Sequence, residues 1–308
     1  MQARCCMTLH KDKKAFSQII DDIYAKKGIP DAIVEKDYFV TLFLQKLSQK
    51  LPPMIFKGGT ALSKCFKVIE RFSEDIDITV DFSATLTQGQ YKMIKQAVVD
   101  SAEELGLSIV NMDETRSRRD FNQYKIDYSA SCTLEGIRLF LIVETSVSVR
   151  SFPTQKMPVK SIVQEYLEEL GLNDICEKYE LSEFEVSVQS LDRTLIDKLF
   201  ALGDYYLTSQ EAGHSRHIYD IYKLLPLVKI DDKFRALVKE VREVRKVSKY
   251  CRSAQDGVDM QKLLTEIADK DAYKADYDGT FAALLFEKVP YDTAKKALQE
   301  AIDLKLFS

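Results

Sequence analysis

The chain has 308 residues, a formal net charge of −4, and 45% hydrophobic and 30% charged residues. This composition excludes a disordered or fibrous chain, leaves room for a sizeable core, and at about 150 residues per domain suggests two domains. The slight negative balance argues against a protein that coats nucleic acid through its overall field, although a local basic face could still bind it.

Apolar spacing predicts helices over 15–26 and 30–49. Pro30 suits a first helical turn, and Val40, Phe43, Leu44 and Leu47 recur at helical spacing. Residues 54–57 read as a short strand ending at Gly58-Gly59, and 60–70 as a helix with the stripe Leu62, Phe66 and Ile69. From 73 to 81 the residues alternate. Asp75, Asp77 and Thr79 share one side of a half-buried strand, and Ile76, Ile78 and Val80 share the other. A helix over 87–105 follows, then strands over 123–129 and 137–149 joined by a polar turn near Glu135-Gly136. Helices interleaved with strands predict an α+β fold of α/β-like character.

Beyond Pro158 the character changes. The last good strand pattern is 185–189, and helices are predicted over 191–207, 215–225, 232–250, 258–269 and 291–304. The expected division is a first domain over 1–158, with its N-terminal helices, and a mainly helical domain over 159–308. Scattered cysteines predict free thiols, and three histidines (His10, His214 and His217) supply neither a multi-histidine metal site nor a serine-histidine-aspartate triad. Carboxylates must therefore carry any metal chemistry. No run of about eighteen apolar residues occurs, and the opening MQARCCMTLHKDKK lacks the apolar stretch of a signal peptide. A cytoplasmic protein without a membrane partner is expected.

The segment FKGGTALSKCFKVIERFSEDIDITV joins two features that phosphate chemistry needs. Gly58 and Gly59 let the backbone approach a ligand. The helix after them offers free amides, with hydroxyls from Thr60 and Ser63. Asp75 and Asp77 place two carboxylates side by side, a hard oxygen cluster suited to magnesium completed by substrate phosphates. Either feature alone has a plain structural explanation, a turn or a solvated strand face. Together, with Glu74 adding a third acid, they favour function, because like charges this close repel unless cations neutralise them.

Four segments then resemble the AbiEii-type nucleotidyltransferases, toxins of abortive-infection and toxin-antitoxin systems within the DNA polymerase β-like superfamily. They are VEKDYFVTLFLQKL from Val34, KGGTALSKCF with RFSEDIDI from Lys57 to Ile78, LDRTLIDKLFAL from Leu191, and RHIYDIYKLL from Arg216. The resemblance implies a nucleotidyltransferase fold with a mixed sheet, closed on one side of its cleft by a helical C-terminal part. It implies transfer of a nucleotide from a nucleoside triphosphate (NTP) to an acceptor, RNA such as tRNA in characterised members, and a cognate antitoxin as partner. Residue by residue, it puts Gly59 and Thr60 on the triphosphate grip and Asp75 and Asp77 on the metal pair. Lys198 falls on a helix lysine that contacts phosphate, and Asp220, preceded by Arg216, on a late acidic motif. A third carboxylate is expected on a neighbouring strand. Glu144, mid-strand in an apolar run, is favoured over Asp127, since an unpaired charge there is costly.

The expected mechanism uses two Mg2+ ions held by Asp75, Asp77 and Glu144, with Lys198 supplying fixed charge to the triphosphate. Glu35, Lys36 and Asp37 are read as fold-determining. The basic stretch Arg242, Arg245, Lys246, Lys249 and Arg252 and the tract Arg116, Arg118 and Arg119 are read as solvated faces before RNA contacts. The rival readings are a catalytically silent nucleotide- or RNA-binding regulator and a phosphotransferase using the same carboxylates.

Overall fold

The computed structural model describes residues 7–82, 86–134 and 137–307. In chain order its elements are α1 (Lys13–Lys27), α2 (Asp31–Lys50), β1 (Met54–Lys57), α3 (Gly58–Lys64), β2 (Asp75–Val80), α4 (Gln88–Leu105) and β3 (Ser108–Ile109). There follow β4 (Phe121–Asp127), β5 (Phe140–Ser146), β6 (Thr154–Val159), α5 (Ile162–Glu169), α6 (Asn173–Lys178) and β7 (Phe184–Gln189). The remainder is helical: α7 (Leu191–Tyr206), α8 (Arg216–Leu224), α9 (Asp232–Lys246), α10 (Met260–Asp269), α11 (Lys274–Asp278) and α12 (Tyr291–Asp303).

The strands form one mixed sheet in the order β3-β4-β5-β2-β1-β7-β6. β2 runs antiparallel to β1 and parallel to β5, and β7 runs parallel to β1. This is the α+β architecture expected. Alternation does the sorting. Phe56, Ile76, Ile78, Tyr124, Ile126, Leu141, Val143, Val186 and Val188 turn to one face and pack with Phe43, Leu44 and Leu47 of α2 and Val98 of α4. The opposite face carries the polar residues of the same strands and is left for the helical half.

A second core gathers Leu195, Leu199, Ile218, Ile221, Leu264, Ala294 and Leu298 from α7, α8, α10 and α12, joined by Leu62 and Ile69. Chain that follows Pro158 does not leave the first core at once, for Val159, Val163, Tyr166, Leu167 and Val186 are buried there.

Three differences from the sequence-based expectation have local causes. The helix expected over 60–70 runs from Gly58 to Lys64, because Lys67 turns left-handed (φ 54°) and Val68 donates back to the carbonyl of Leu62. β6 was not expected. It is an edge strand, mostly exposed and carrying Pro158, so it has little apolar alternation to read. α5 and α6 are short helices between strands and were likewise unforeseen. The turn expected at Glu135-Gly136 lies outside the described residues.

Glu35, Lys36 and Asp37 are buried or nearly so and tie α2 to its surroundings. Glu35 accepts from the amides of Ser131 and Cys132. Lys36 donates to the carbonyls of Arg138 and Phe140 and pairs with Glu74 at 2.6 Å. Asp37 accepts from the amide of Ile162 and pairs with Lys64.

Candidate active site

The register sets the chemistry. Lys57, Asp77, Glu144 and Gln123 stand in one row across β1, β2, β5 and β4. All four therefore lie on the face opposite the first core. Asp77 and Glu144 are direct neighbours, and their carboxyl groups are close enough to share a hydrogen bond. Gln123 holds the other side of Glu144 through an Nε2–Oε1 bond of 2.8 Å. Asp127 is on the same face of β4 but opposite Phe140, four residues along from the row, roughly 13 Å away. Its Oδ1 accepts instead from the Ser129 amide. The structure therefore brings Glu144, not Asp127, to Asp77.

Burial raises the Asp77 carboxyl, the charges of Glu144 and Asp75 raise it further, and Lys57 opposes, leaving it at about 7. Asp75 is bonded to Arg138, with an Oδ1–Nη1 distance of 2.8 Å. Among the described residues, no three histidine, cysteine, aspartate or glutamate side chains are gathered as a ready metal cage.

Gly58 closes over Asp77. Its φ is 78°, and a β-carbon there would lie 1.9 Å from Asp77 Oδ2. Only glycine permits both that backbone angle and that approach. Gly59 is equally hemmed in, with Arg71 Nη2 and Ser73 Oγ each 2.6 Å from where a β-carbon would stand.

A cavity of about 310 Å3 opens beside the row, lined by Lys57, Gly58, Asp77, Glu144, Lys198 and Arg216, among others. α7 supplies a stripe of Thr194, Lys198, Ala201 and Tyr205 to its wall. Lys198 is anchored by Asp220 Oδ2 at 2.8 Å, while Arg71 grips both oxygens of Asp220 at 2.7 and 2.9 Å. Burial alone would raise the Asp220 carboxyl, but Arg71 and Lys198 outweigh it and hold it well below the usual carboxylate range. Burial draws the Lys198 ammonium down, against the pull of Asp220. Asp220 thus serves Lys198 and Arg71 rather than a local pair with Arg216, whose side chain is left to the cavity.

Thr60 and Ser63 lie elsewhere. They line a second cavity of about 260 Å3 with Lys36, Lys64, Arg71 and Ser73. The Thr60 hydroxyl meets Ser73 Oγ at 3.0 Å, and Ser63 donates to the Thr60 carbonyl within its own helix.

Sequence reasoning missed Lys57, Arg71, Asp197 and Arg245. Arg71 opens the RFSEDIDI segment and Lys57 precedes the glycine pair, so both were visible as neighbours of the motif. In the sequence Arg245 belongs to the basic stretch expected to be a solvated face. It is buried and bonded to Asp197 at 2.9 Å and Asp204 at 2.6 Å. Only the packing of α9 on α7 reveals this.

Among curated proteins, none matches this chain. Among solved structures, the fold is similar to that of MenT4, a nucleotidyltransferase toxin from Mycobacterium tuberculosis H37Rv. The TM-score is 0.50 and the identity 14%, with 94% of this chain and 88% of that one covered. At that identity the likeness speaks for the fold alone. The sequence model described as nucleotidyl transferase AbiEii toxin, type IV toxin-antitoxin system, matches residues 42–303. With most of its length matched, and with the carboxylate row and glycine turn in one cleft, the chain belongs to the AbiEii family of nucleotidyltransferase toxins and is a nucleotidyltransferase.

Proposed function

We propose that this enzyme transfers a nucleotide from an NTP to an RNA acceptor such as tRNA, with Mg2+ held at Asp77 and Glu144, and that it acts as a cytoplasmic toxin restrained by a cognate antitoxin. The observation that carries this reading is the Asp77–Glu144 pair under Gly58. Two neighbouring carboxyls whose charges repel are a poor arrangement for stability and a good one for a hard divalent cation. Magnesium is commonly held by one or two carboxylates plus substrate phosphates, so the donor set fits, and Asp75 can join it by exchanging Arg138. Bound there, the ions would supply Lewis-acid activation of the acceptor hydroxyl and neutralisation of the leaving pyrophosphate.

The protein's own residues do the remaining work. Gly58 admits the triphosphate close to the backbone. Lys198 and Arg216 offer fixed positive charge to its oxygens, and the buried Asp220 keeps Lys198 from swinging away. Gln123 orients Glu144, and Lys57 lies beside Asp77 as a further cation. Two units share this task in our reading. The sheet-bearing unit contributes the carboxylates and the helical unit contributes Lys198 and Arg216. In this reading the boundary lies nearer Ser190 than Pro158, which is supported by the burial of Val163, Tyr166, Leu167, Cys176, Val186 and Val188 in the first core.

The test uses purified protein, Mg2+, total RNA and triphosphates labelled at the α or γ position. Transfer of α-label to RNA is expected. Transfer of γ-label alone overturns the reading in favour of phosphotransfer, and label on protein or free nucleotide only overturns the RNA acceptor.

A further inference from the structure

Beside the carboxylate row stand three aromatic rings that no step above employs. Tyr205 and His214 are stacked with centroids 3.4 Å apart and planes 10° from parallel. His217 lies 5.8 Å from Tyr205 and 6.1 Å from His214, tilted by 11° and 13°. Taken together, these three separations put the two histidines about 80° apart as seen from Tyr205. His214 therefore covers one face of Tyr205, His217 sits beside its edge, and neither covers the second face. Tyr205 lines the cavity of the carboxylates and is only half-buried.

Position along α7 adds to this. Tyr205 follows Lys198 by two helical turns on the same stripe, about 10 Å along the axis. That separation suits the reach from a nucleotide's phosphates, across its ribose, to its base. The phenol is also close enough to Glu144 and Asp77 to feel their charge. The rings are neutral at physiological pH. Burial and Arg216 push His214 down to about 4, and burial with Lys198 and Arg216 pushes His217 well below its ordinary value. His214 Nδ1 and both ring nitrogens of His217 are buried with no hydrogen-bond partner among the described residues. They are held for their ring surfaces rather than for polar contacts inside the protein.

We propose that Tyr205, backed by His214 and edged by His217, is the platform on which the base of the incoming NTP stacks. This rests on the nucleotidyl-transfer reading of the same cavity. A π-face tolerates every base, so the platform supplies affinity and placement of the α-phosphate rather than choice among bases.

The experiment measures steady-state transfer of α-label, with inorganic tripolyphosphate as a competitive probe of the phosphate grip alone. Tyr205→Leu is expected to raise KM for the NTP about tenfold, within the range that stacking a base on an aromatic ring contributes. The inhibition constant for tripolyphosphate stays put. Tyr205→Phe recovers most of the lost affinity, and His214→Ala loses part of it. An unchanged KM in Tyr205→Leu overturns the proposal. So does a parallel weakening of tripolyphosphate, which means general damage, or a rise confined to the KM of the acceptor. If the unmodified protein transfers no label, the transfer reading has failed. Calorimetric titration of both proteins with NTP then decides the platform by the presence or absence of the same tenfold difference.

Discussion

The β-carbon that Gly58 lacks would stand 1.9 Å from Oδ2 of Asp77, so the glycine turn and the central carboxylate occupy a single fitted site. Replacing the glycine tests the fit from the turn side. In Gly58→Ala the methyl group must displace Asp77, and the left-handed backbone adds roughly 1–2 kcal/mol of strain. We expect kcat/KM for α-label transfer to fall at least about a hundredfold, corresponding to about 2.7 kcal/mol, with a thermal midpoint lowered by several degrees. Retention of full transfer would show that Asp77 does not need its observed position.

A pH dependence follows from Asp77. Its carboxyl is raised to about 7 in the folded protein from 3.8. The folded state thus keeps a proton that the unfolded chain releases. The resulting stabilisation is complete below about pH 4 and is lost as pH rises through about 7. Metal-free protein should therefore show a falling unfolding free energy over this window, and Asp77→Asn should flatten it. The variant should be the more stable protein at pH 8, by on the order of 1–3 kcal/mol, while losing nucleotidyl transfer. Denaturant melts at several pH values check the slope.

Added Mg2+ should act in the opposite sense. An ion that binds the ionised pair only in the folded state raises the midpoint at pH 8 in proportion to the logarithm of its concentration. Glu144→Gln should abolish that rise and Asp127→Asn should leave it intact, since Glu144 rather than Asp127 faces Asp77. Calorimetric scans with and without the ion provide the comparison.

Lys198 and Asp220 separate binding from folding. Lys198→Met leaves Asp220 with both bonds from Arg71, so the fold should survive while transfer falls on the order of a hundredfold. Asp220→Ala strands Arg71 and Lys198, two buried cations, and should cost about 3–5 kcal/mol of stability. Urea unfolding would rank the two variants, and the reverse ranking would contradict the geometry.

Much of this protein is legible as sequence because its periodicities are local. The twofold alternation of Asp75 to Val80 follows from the pleat and was enough to put both aspartates on one face, away from Ile76 and Ile78. The helices from α7 onward, the short α11 excepted, carry apolar stripes and are legible to within a few residues. Elements whose stability comes from pairing rather than pattern were not found. β6 has almost no buried side, and α3 ends where Lys67 turns left-handed, an event that leaves no mark in composition.

The candidate site divides along the same line. The sequence by itself determined that a glycine turn precedes two aspartates on one strand face, that Glu144 is costly in an apolar strand, and that a lysine and an aspartate recur on later helices. Strand register, a property of pairing between segments far apart in the chain, decided that Glu144 rather than Asp127 meets Asp77. Packing of α7, α8 and α9 decided the rest. It tied Lys198 and Arg71 to the same Asp220, buried Arg245 against Asp197 and Asp204, put Tyr205 in the wall of the carboxylates' cavity, and turned Thr60 and Ser63 toward a different cavity. Such pairings are settled by distances through space, and a one-dimensional pattern carries no measure of those.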